Sequence, residues 1–387
     1  MNNFNYFQPT KLYFGVGRIA EVGKIVAEYG TRCLLVTVSG TKEQKASYSK
    51  VIQYLKQAKI KVAHFDGVVP NPTTESITAG AKIAKQHKAD VVLGFGGGSS
   101  MDTAKAIAVE ATHPGTCWDY LFYKKAPTEK TLPIIAITTT SGTGSQVTQV
   151  AVVTNTQKRD KSALYHSNVY PSAAIIDPQL MVTVPKFVTA TTGFDVFAHA
   201  FEAYIHPNAS PYIKIMAVEA ITLVLNNLPK VLKNGNNLEA RSAMAWADTL
   251  GGLCIANAGV TLPHGIGMAI GGMYPHVAHG EALALVYPAF TRYTYKSAVN
   301  QFATLARIFK PSLSKVGDKI AAEKACSLVD KFLKDIGLWY GLKEKNVPKE
   351  ELAALAKQSM VLPDYKSNPK VATASEMNRI IESCYCR

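Results

Sequence analysis

The chain has 387 residues, 47% hydrophobic and 18% charged, which is enough apolar material for two domains with their own cores and too much for a disordered chain. Its 42 Lys and Arg against 28 Asp and Glu give a formal net charge of +14, a field that favours anionic ligands. Six cysteines are too few for a disulfide scaffold and are expected to be reduced, no apolar run reaches the roughly 18 residues of a bilayer span, and Met1-Asn2-Asn3-Phe4-Asn5-Tyr6 lacks the basic-then-apolar order of a signal peptide.

These features point to a cytoplasmic enzyme without a membrane partner. The cations are strewn singly, as at Lys82, Lys85, Lys88, Lys124, Lys125, Lys158, Arg159 and Lys161. Aromatic side chains are not interleaved with them as stacking platforms, so nucleic acid is not expected either. A phosphate-bearing small ligand is the simpler reading of the charge.

In chain order, Phe14-Gly15-Val16-Gly17-Arg18 reads as a turn into an amphipathic helix over Ile19 to Tyr29. Strand patterns at Cys33 to Val38, Ile60 to Phe65 and Ala89 to Phe95 then alternate with helical patterns at Ser47 to Ala58 and Thr74 to Lys88. Pro70-Asn71-Pro72-Thr73 closes the second strand, because proline cannot donate to a ladder. Alternation of this kind predicts a parallel sheet flanked by helices.

Gly96-Gly97-Gly98-Ser99-Ser100-Met101-Asp102-Thr103-Ala104-Lys105 follows the third of these strands and opens a helix expected over Ser100 to Val109. Missing Cβ atoms let backbone N–H groups approach a diphosphate at a helix N-terminus. The segment matches neither a Rossmann Gly-x-Gly-x-x-Gly nor a P-loop, and both a tight turn and a dinucleotide site remain open for it. The next strand, Leu132 to Thr138, runs into the hydroxyl-rich Thr139-Thr140-Ser141-Gly142-Thr143-Gly144-Ser145. Two such loops at the carboxyl ends of successive strands stand where open α/β sheets form their ligand crevice. Val147 to Thr154 and Ala173 to Asp177 are further strand-like pieces.

Beyond Pro185 the periodicity becomes helical, at Ile213 to Leu225, Leu238 to Ala258, Ala298 to Phe309, Lys319 to Ile336 and Glu350 to Met360. This divides the chain into residues 1–185, an α/β domain, and residues 186–387, an all-α domain. Leu362-Pro363-Asp364-Tyr365 reads as an ordinary connection into a last helix from Ser375, and Cys384-Tyr385-Cys386 as a frayed tail.

Within the helical half, Gly193 to Tyr204 places Asp195 and His199 one turn apart on one face. The pair suits either a helix-surface hydrogen bond or one half of a metal site. His264 and His279, each followed by glycine, are candidate partners. One carboxylate with three imidazoles suits Fe(II) or Zn(II) and leaves positions open for a substrate oxygen. His276, three residues before His279, is either a further cavity-facing group or a loop histidine with a satisfied hydrogen bond.

The motifs together resemble the iron-containing (group III) alcohol dehydrogenase family, of the butanol dehydrogenase-like kind, related to glycerol dehydrogenase and dehydroquinate synthase. They are Pro9-Thr10 with Tyr13-Phe14-Gly15, Pro70-Asn71-Pro72-Thr73, Gly96-Gly97-Gly98-Ser99 with Asp102 and Lys105, Thr139 to Ser145, and the Asp195/His199 helix. The resemblance implies a nicotinamide-binding N-terminal domain and a helical metal-binding C-terminal domain. It implies Asp195, His199, His264 and His279 as ligands of one divalent metal. As cofactor contacts it implies Asn71, Gly97, Gly98, Ser99, Asp102, Thr139, Thr140 and Lys161. It further implies a Lewis-acidic ion that lowers the pKa of an alcohol, hydride exchange with nicotinamide C4, and a homo-oligomer, a dimer or larger.

Three positions depart from the family pattern. Met268 stands where many members have a histidine, so a proton relay must use water, a ribose hydroxyl or His276. Gln146 replaces a common glutamate. Ser39-Gly40-Thr41-Lys42 stands where NAD-using relatives place an acid that binds the ribose 2′-OH and repels a 2′-phosphate. Ser39 therefore predicts NADP(H) over NAD(H). The expected reaction interconverts small primary alcohols and aldehydes such as butanol and butanal. The rival is a dehydroquinate synthase-like or glycerol-phosphate-type enzyme acting on a phosphorylated substrate. Phe194, Phe197, Cys254, Ile255, Val260 and Met268 near the ligands suggest an apolar lining, against that rival.

Overall fold

The computed structural model describes residues 3–387, and these divide into two compact units, residues 7–184 and residues 185–387 joined by residues 3–6. The ring of Tyr6 packs edge-on against Tyr212 at 4.7 Å, which ties the N-terminal residues to the second unit.

The first unit is built on six parallel strands in the order β1-β8-β5-β4-β2-β3. They are β1 (Lys11–Phe14), β2 (Arg32–Val38), β3 (Lys61–Val68), β4 (Val91–Gly96), β5 (Ile134–Thr138) and β8 (Ala173–Ile176). Between β5 and β8 the chain makes an antiparallel hairpin of β6 (Val150–Asn155) and β7 (Asp160–Tyr165). The helices are α1 (Val22–Ala27), α2 (Lys42–Gln57), α3 (Thr74–His87) and α4 (Gly98–Glu110).

Side chains that alternate along a strand separate into two cores. Leu34, Val36 and Val92 pack with Ile77 and Ala84 of α3 and Ile107 of α4. Cys33, Leu35, Val91 and Leu93 pack with Val22 and Ile25 of α1 and Val51 and Leu55 of α2. Both faces of the sheet are covered, so β4 is buried at every residue and reads as an unbroken apolar run.

The strand order reverses at the β2/β4 boundary: from β2 the chain steps out to β3, then returns to the other side of β2 and continues through β4 and β5. Ligand crevices of open α/β sheets form at such a point, outside the carboxyl ends of the strands. The segments after β2, β4 and β5 all leave from that end. The Thr139 N–H donates to the Gly96 carbonyl at 2.9 Å, which locks the last two together.

The second unit is helical: α5 (Lys186–Ile205), α6 (Pro211–Lys233), α7 (Leu238–Asn257), α8 (Leu262–Met273), α9 (His279–Thr294), α10 (Val299–Phe309), α11 (Asp318–Asp335), α12 (Leu352–Gln358) and α13 (Ala374–Ser383). An aromatic cluster of Phe194, Phe197, Tyr287, Phe309 and Phe332 joins α5 to α9, α10 and α11.

Several expectations change. By length and composition α6 is apolar enough to cross a membrane, because Lys214 and Glu219 break its apolar run without removing its overall character. It packs against α5 and α7 as part of this helical core. The helix expected over Ile19 to Tyr29 begins as a 3₁₀ turn and is α-helical only at Val22–Ala27. The C-terminal residues are not frayed. Cys384 is fully buried, and its carbonyl and that of Tyr385 accept from the Leu342 and Lys343 N–H groups at 2.9 and 3.0 Å. All six cysteines are free.

Inside the first unit lies a charged pair. Lys105 is fully buried, and its Nζ donates to the Ser145 carbonyl (2.7 Å), the Thr148 carbonyl (2.9 Å) and the Val150 carbonyl (2.7 Å). One turn earlier on α4, Asp102 accepts from Ser145 Oγ at 2.6 Å and from the Val152 N–H at 3.0 Å. Burial pulls the Lys105 ammonium down to about 8, with Asp102 opposing. Together the two side chains staple the chain after the hydroxyl-rich loop to α4. Removing one partner of a buried pair leaves an uncompensated charge, so Lys105→Met is expected to cost about 3–5 kcal/mol of stability, read from the midpoint shift in denaturant unfolding of the full-length protein.

Candidate active site

Helix α5 carries the first two expected ligands. Asp195 and His199 lie on the face opposite the aromatic cluster, and His199 Nε2 is 3.6 Å from Asp195 Oδ1. The apolar lining expected from Phe194 and Phe197 is therefore corrected. Both are fully buried in the aromatic core, as Cys254 is in the packing of α7, where its Sγ lies 3.7 Å from the Ile213 carbonyl. Ile255 and Val260 are half-buried and Met268 is buried.

Helix α8 begins with Pro263 in its first turn, where a missing N–H costs nothing. His264 follows, and its Nε2 comes within 3.7 Å of Asp195 Oδ1. His279 is the first residue of α9, and its Nε2 is 3.9 Å from the same oxygen. What brings α9 so close is Gly280. A Cβ there would stand 2.0 Å from the Thr191 carbonyl oxygen, so only glycine lets the N-terminus of α9 lie against the backbone of α5.

Three imidazoles from three helices thus surround one carboxylate oxygen. Single donor atoms of Asp195, His199 and His264 lie within 4.8 Å of one another, all buried. Burial pushes the Asp195 carboxyl up, but His199, His264 and His279 outweigh it and bring it down to about 2. Asp195 Oδ1 and His264 Nε2 are buried without a hydrogen-bond partner. Polar atoms in that condition are costly unless something else binds them. The donor set, one carboxylate oxygen and three imidazole nitrogens, fits Fe(II) or Zn(II).

His276 takes the second of its two readings: it is exposed in the turn between α8 and α9, and its Nε2 is 2.8 Å from the Lys345 carbonyl, a loop histidine with a satisfied hydrogen bond.

Two acids were missed by sequence reasoning. Glu202 is fully buried on α5, one turn beyond His199, with Oε1 2.8 Å from His264 Nδ1. Its spacing of seven from Asp195 is the signal that could have revealed it, since positions seven apart share a helical face. Asp364, in the segment taken for an ordinary connection, packs beside Gly265, and burial raises its carboxyl to about 6 with His264 opposing. No local pattern marks it.

In the first unit, Gly97 is the N-cap of α4 and Gly98 its first residue. A Cβ on Gly97 would meet Thr140 Oγ1 at 3.1 Å, and one on Gly98 would meet Thr143 Cγ2 at 2.5 Å. The glycine turn and the hydroxyl loop are therefore in close contact, and Ser99, Thr139 and Thr140 are half-buried along them. Asn71 has a left-handed backbone, φ 52°, and its Oδ1 accepts from Lys161 Nζ at 2.8 Å. The β6–β7 hairpin makes this possible, because the Thr154 N–H donates to the Pro72 carbonyl at 2.7 Å. Two expected cofactor contacts, 90 residues apart in sequence, thus meet. Both carboxylate oxygens of Asp102 are occupied by Ser145 and Val152, which gives it a hold on the loop. Ser39 is exposed after β2, and Gly40 has φ 74°, where a Cβ would also strike Tyr48 at 2.8 Å.

Residues 9–178 match the model of iron-containing alcohol dehydrogenases, and residues 189–385 match that of the family's C-terminal part. The chain belongs to the iron-containing alcohol dehydrogenase family. It is an oxidoreductase acting on alcohols. Among its relatives, an NAD-dependent methanol dehydrogenase of Bacillus methanolicus is 32% identical over 98% of this chain and 99% of its own. A solved alcohol dehydrogenase from an archaeal halo-thermophile of a Red Sea brine pool superposes with a TM-score of 0.94 at 30% identity, covering 99% of this chain and 100% of its own. An NADH-dependent butanol dehydrogenase from Thermotoga maritima gives 0.91 at 27% identity, over 100% and 99% of the two chains. This iron-containing alcohol dehydrogenase accordingly has the α/β-plus-helical architecture that its motifs implied.

Two outcomes are expected of the ligand cluster. Dialysis of the protein against a chelator, then addition of Zn(II) at about a hundred times its dissociation constant, should stabilise the wild type by about 2.7 kcal/mol and leave Asp195→Asn unchanged in a thermal-unfolding assay. Gly280→Ala should weaken Zn(II) binding at least about tenfold, because a ligand pushed off its position loses much of its bond; competition with a chromophoric chelator reads this directly.

Proposed function

We propose that the protein is a metal-dependent alcohol dehydrogenase/aldehyde reductase that prefers NADP(H) to NAD(H) and acts on small primary alcohols and aldehydes such as butanol and butanal. The observation that carries the metal dependence is the buried convergence of the unsatisfied Asp195 Oδ1 and His264 Nε2. Asp195, His199, His264 and His279 would hold the ion. When bound, it supplies Lewis acidity to the substrate oxygen.

The chain's own groups do the rest. Asp195 and the three histidines would leave room for a substrate oxygen on an ion that takes more than four donors, as Fe(II) does. Gly97 and Gly98 keep Cβ atoms away from the N-terminus of α4, whose N–H groups suit the cofactor diphosphate. Lys161, fixed by Asn71, supplies a cation in a unit otherwise read as a site for an anionic cofactor. Proton exchange with solvent does not use Met268 or His276 and falls to water or a cofactor hydroxyl.

The NADP(H) preference rests on the turn after β2. Ser39 and Lys42 are exposed, and no acid stands at Ser39 to repel a 2′-phosphate. The acid nearest to it in sequence, Glu43, accepts from Thr41 Oγ1 at 2.8 Å as part of the helix start. Two of the relatives carry NAD or NADH in their names, so the turn chemistry of this chain is what distinguishes the proposal. The expectation from the sequence that Ile255, Val260 and Met268 line the site supports an uncharged substrate over a phosphorylated one.

The test follows absorbance of the reduced nicotinamide with Zn(II)- or Fe(II)-loaded protein and butanal. NADPH should be oxidised faster than NADH, and Ser39→Asp should move the ratio of the two kcat/KM values toward NADH by about 10–100-fold, about 1.4–2.8 kcal/mol of discrimination. Equal use of both cofactors by the wild type would remove the preference. Failure to consume either with any small aldehyde would remove the redox reading itself.

A further inference from the structure

Glu202 has no place among the metal ligands, yet it is a carboxylate with no exposed surface, three residues after His199 and seven after Asp195 on the same helix. A charge in that position has to be used by its neighbours. Its Oε1 is 2.8 Å from His264 Nδ1, and its Oε2 accepts from the Thr261 N–H at 2.8 Å and from Thr261 Oγ1 at 3.2 Å. These partners are the N-cap and the first turn of α8, and Tyr287 of α9 is a further hydrogen-bond partner.

From this geometry we propose that Glu202 is the positioning residue of the metal centre. It holds His264 in the tautomer that carries its proton on Nδ1 and bares Nε2, and it sets where α8 begins. The inference rests on the metal-holding reading above.

The argument is one of donors and acceptors. An ionised carboxylate only accepts, so the imidazole nitrogen facing it must donate. With Nδ1 protonated, the neutral ring has its lone pair on Nε2, the atom that lies 3.7 Å from Asp195 Oδ1 and has no hydrogen-bond partner. The opposite tautomer would set a lone pair against Oε1 and send an N–H into the ligand cluster. A carboxylate behind a ligating histidine also makes the ring a better donor to the ion. His264 is in this way held from both sides: the carboxylate of Glu202 fixes its orientation while the same carboxylate fixes the turn that carries it.

The second grip explains why an acid serves better than a carbonyl oxygen. A glutamine at this position has one acceptor and one donor face. If its oxygen kept His264, its NH₂ group would confront the Thr261 N–H; if it turned, His264 would be driven to the wrong tautomer. Glu202→Gln, nearly isosteric, therefore tests the charge and not the volume.

The measurement is Zn(II) affinity by competition with a chromophoric chelator, for wild type, Glu202→Gln, His264→Ala and the double variant. Glu202→Gln should bind Zn(II) about 10–100-fold more weakly than wild type, and it should add no further loss in the His264→Ala background, since its effect passes through that ring. Wild-type affinity in Glu202→Gln would overturn the proposal. So would an equal loss in both backgrounds, which would mean that Glu202 acts on the fold at large. A wild type that binds no divalent ion would overturn the metal-holding reading itself, and is told apart because it shows without any variant. Should Glu202→Gln not fold, long-range ¹⁵N–¹H correlation spectra of the Zn(II)-loaded wild type decide: His264 with a proton on Nδ1 and Nε2 on the ion supports the proposal, and a proton on Nε2 overturns it.

Discussion

Burying a carboxylate is the constraint on which the helical unit depends. Asp195 and Glu202 sit on one face of α5, 2% and 0% exposed, and two negative charges there would cost many kcal/mol if nothing answered them. Neutral imidazoles answer only in part, by donating or by sharing a proton. A divalent cation among Asp195, His199, His264 and His279 would balance both charges and would let every histidine stay neutral, as ligation requires. A pair of acids with a set of imidazoles suits an ion of charge two. Much of the local architecture follows from reaching that arrangement. Pro263 starts α8 where His264 can face inward, and the bare Cα of Gly280 admits the N-terminus of α9 to the backbone of α5.

The same logic, on a smaller scale, organises the α/β unit. Lys105 and Asp102 form an internal charge pair whose hydrogen bonds go to Ser145, Thr148, Val150 and Val152. Backbone carbonyls that would be left without partners in an irregular segment are satisfied by an ammonium. Loops are ordinarily mobile because their backbone groups look to water. Here the chain following the hydroxyl-rich turn is bonded to a helix, so its preceding residues face the glycine turn in a fixed position. A cofactor-binding crevice gains affinity from such pre-organisation, since less freedom is lost on binding.

Sequence periodicity made the architecture legible wherever burial was symmetric. The unbroken apolar run of β4 could belong only to a strand covered on both faces, and Asp195 and His199 were one turn apart as the helix placed them. His264 and His279 were named as partners from their glycine neighbours and the family resemblance, not from spacing, since 69 residues separate His264 from Asp195 and only tertiary packing brings them together. Three features were illegible for physical reasons. β7 is short and polar at Asp160, Lys161 and Ser162, so no apolar alternation announced it, yet it carries Lys161 to Asn71. Phe194 and Phe197 flank the ligands in sequence but lie on the far side of a helix, where adjacency along the chain says nothing of adjacency in space. Glu202 looked like one more helical glutamate, because the property that sets it apart, complete burial, is not a local one.

The division of labour between the two units bears on how such an enzyme can change. The residues that would distinguish one nicotinamide cofactor from the other lie in a turn after β2, at Ser39 to Lys42, whose backbone is set by Gly40 and by the capping of α2. Those that would hold the ion come from α5, α8 and α9. Glu202 is bonded to Thr261 and His264, and Asp195 faces His199, His264 and His279, all within the helical unit, so a substitution in the turn leaves these partners in place. Energetic effects at sites without shared partners add. On the proposed reading, cofactor choice would drift by single residues in the turn, while a change at Asp195 or Glu202, each engaged by several donors, would disturb several partners at once. Variation among iron-containing alcohol dehydrogenases is expected to concentrate in the first kind of position for that reason.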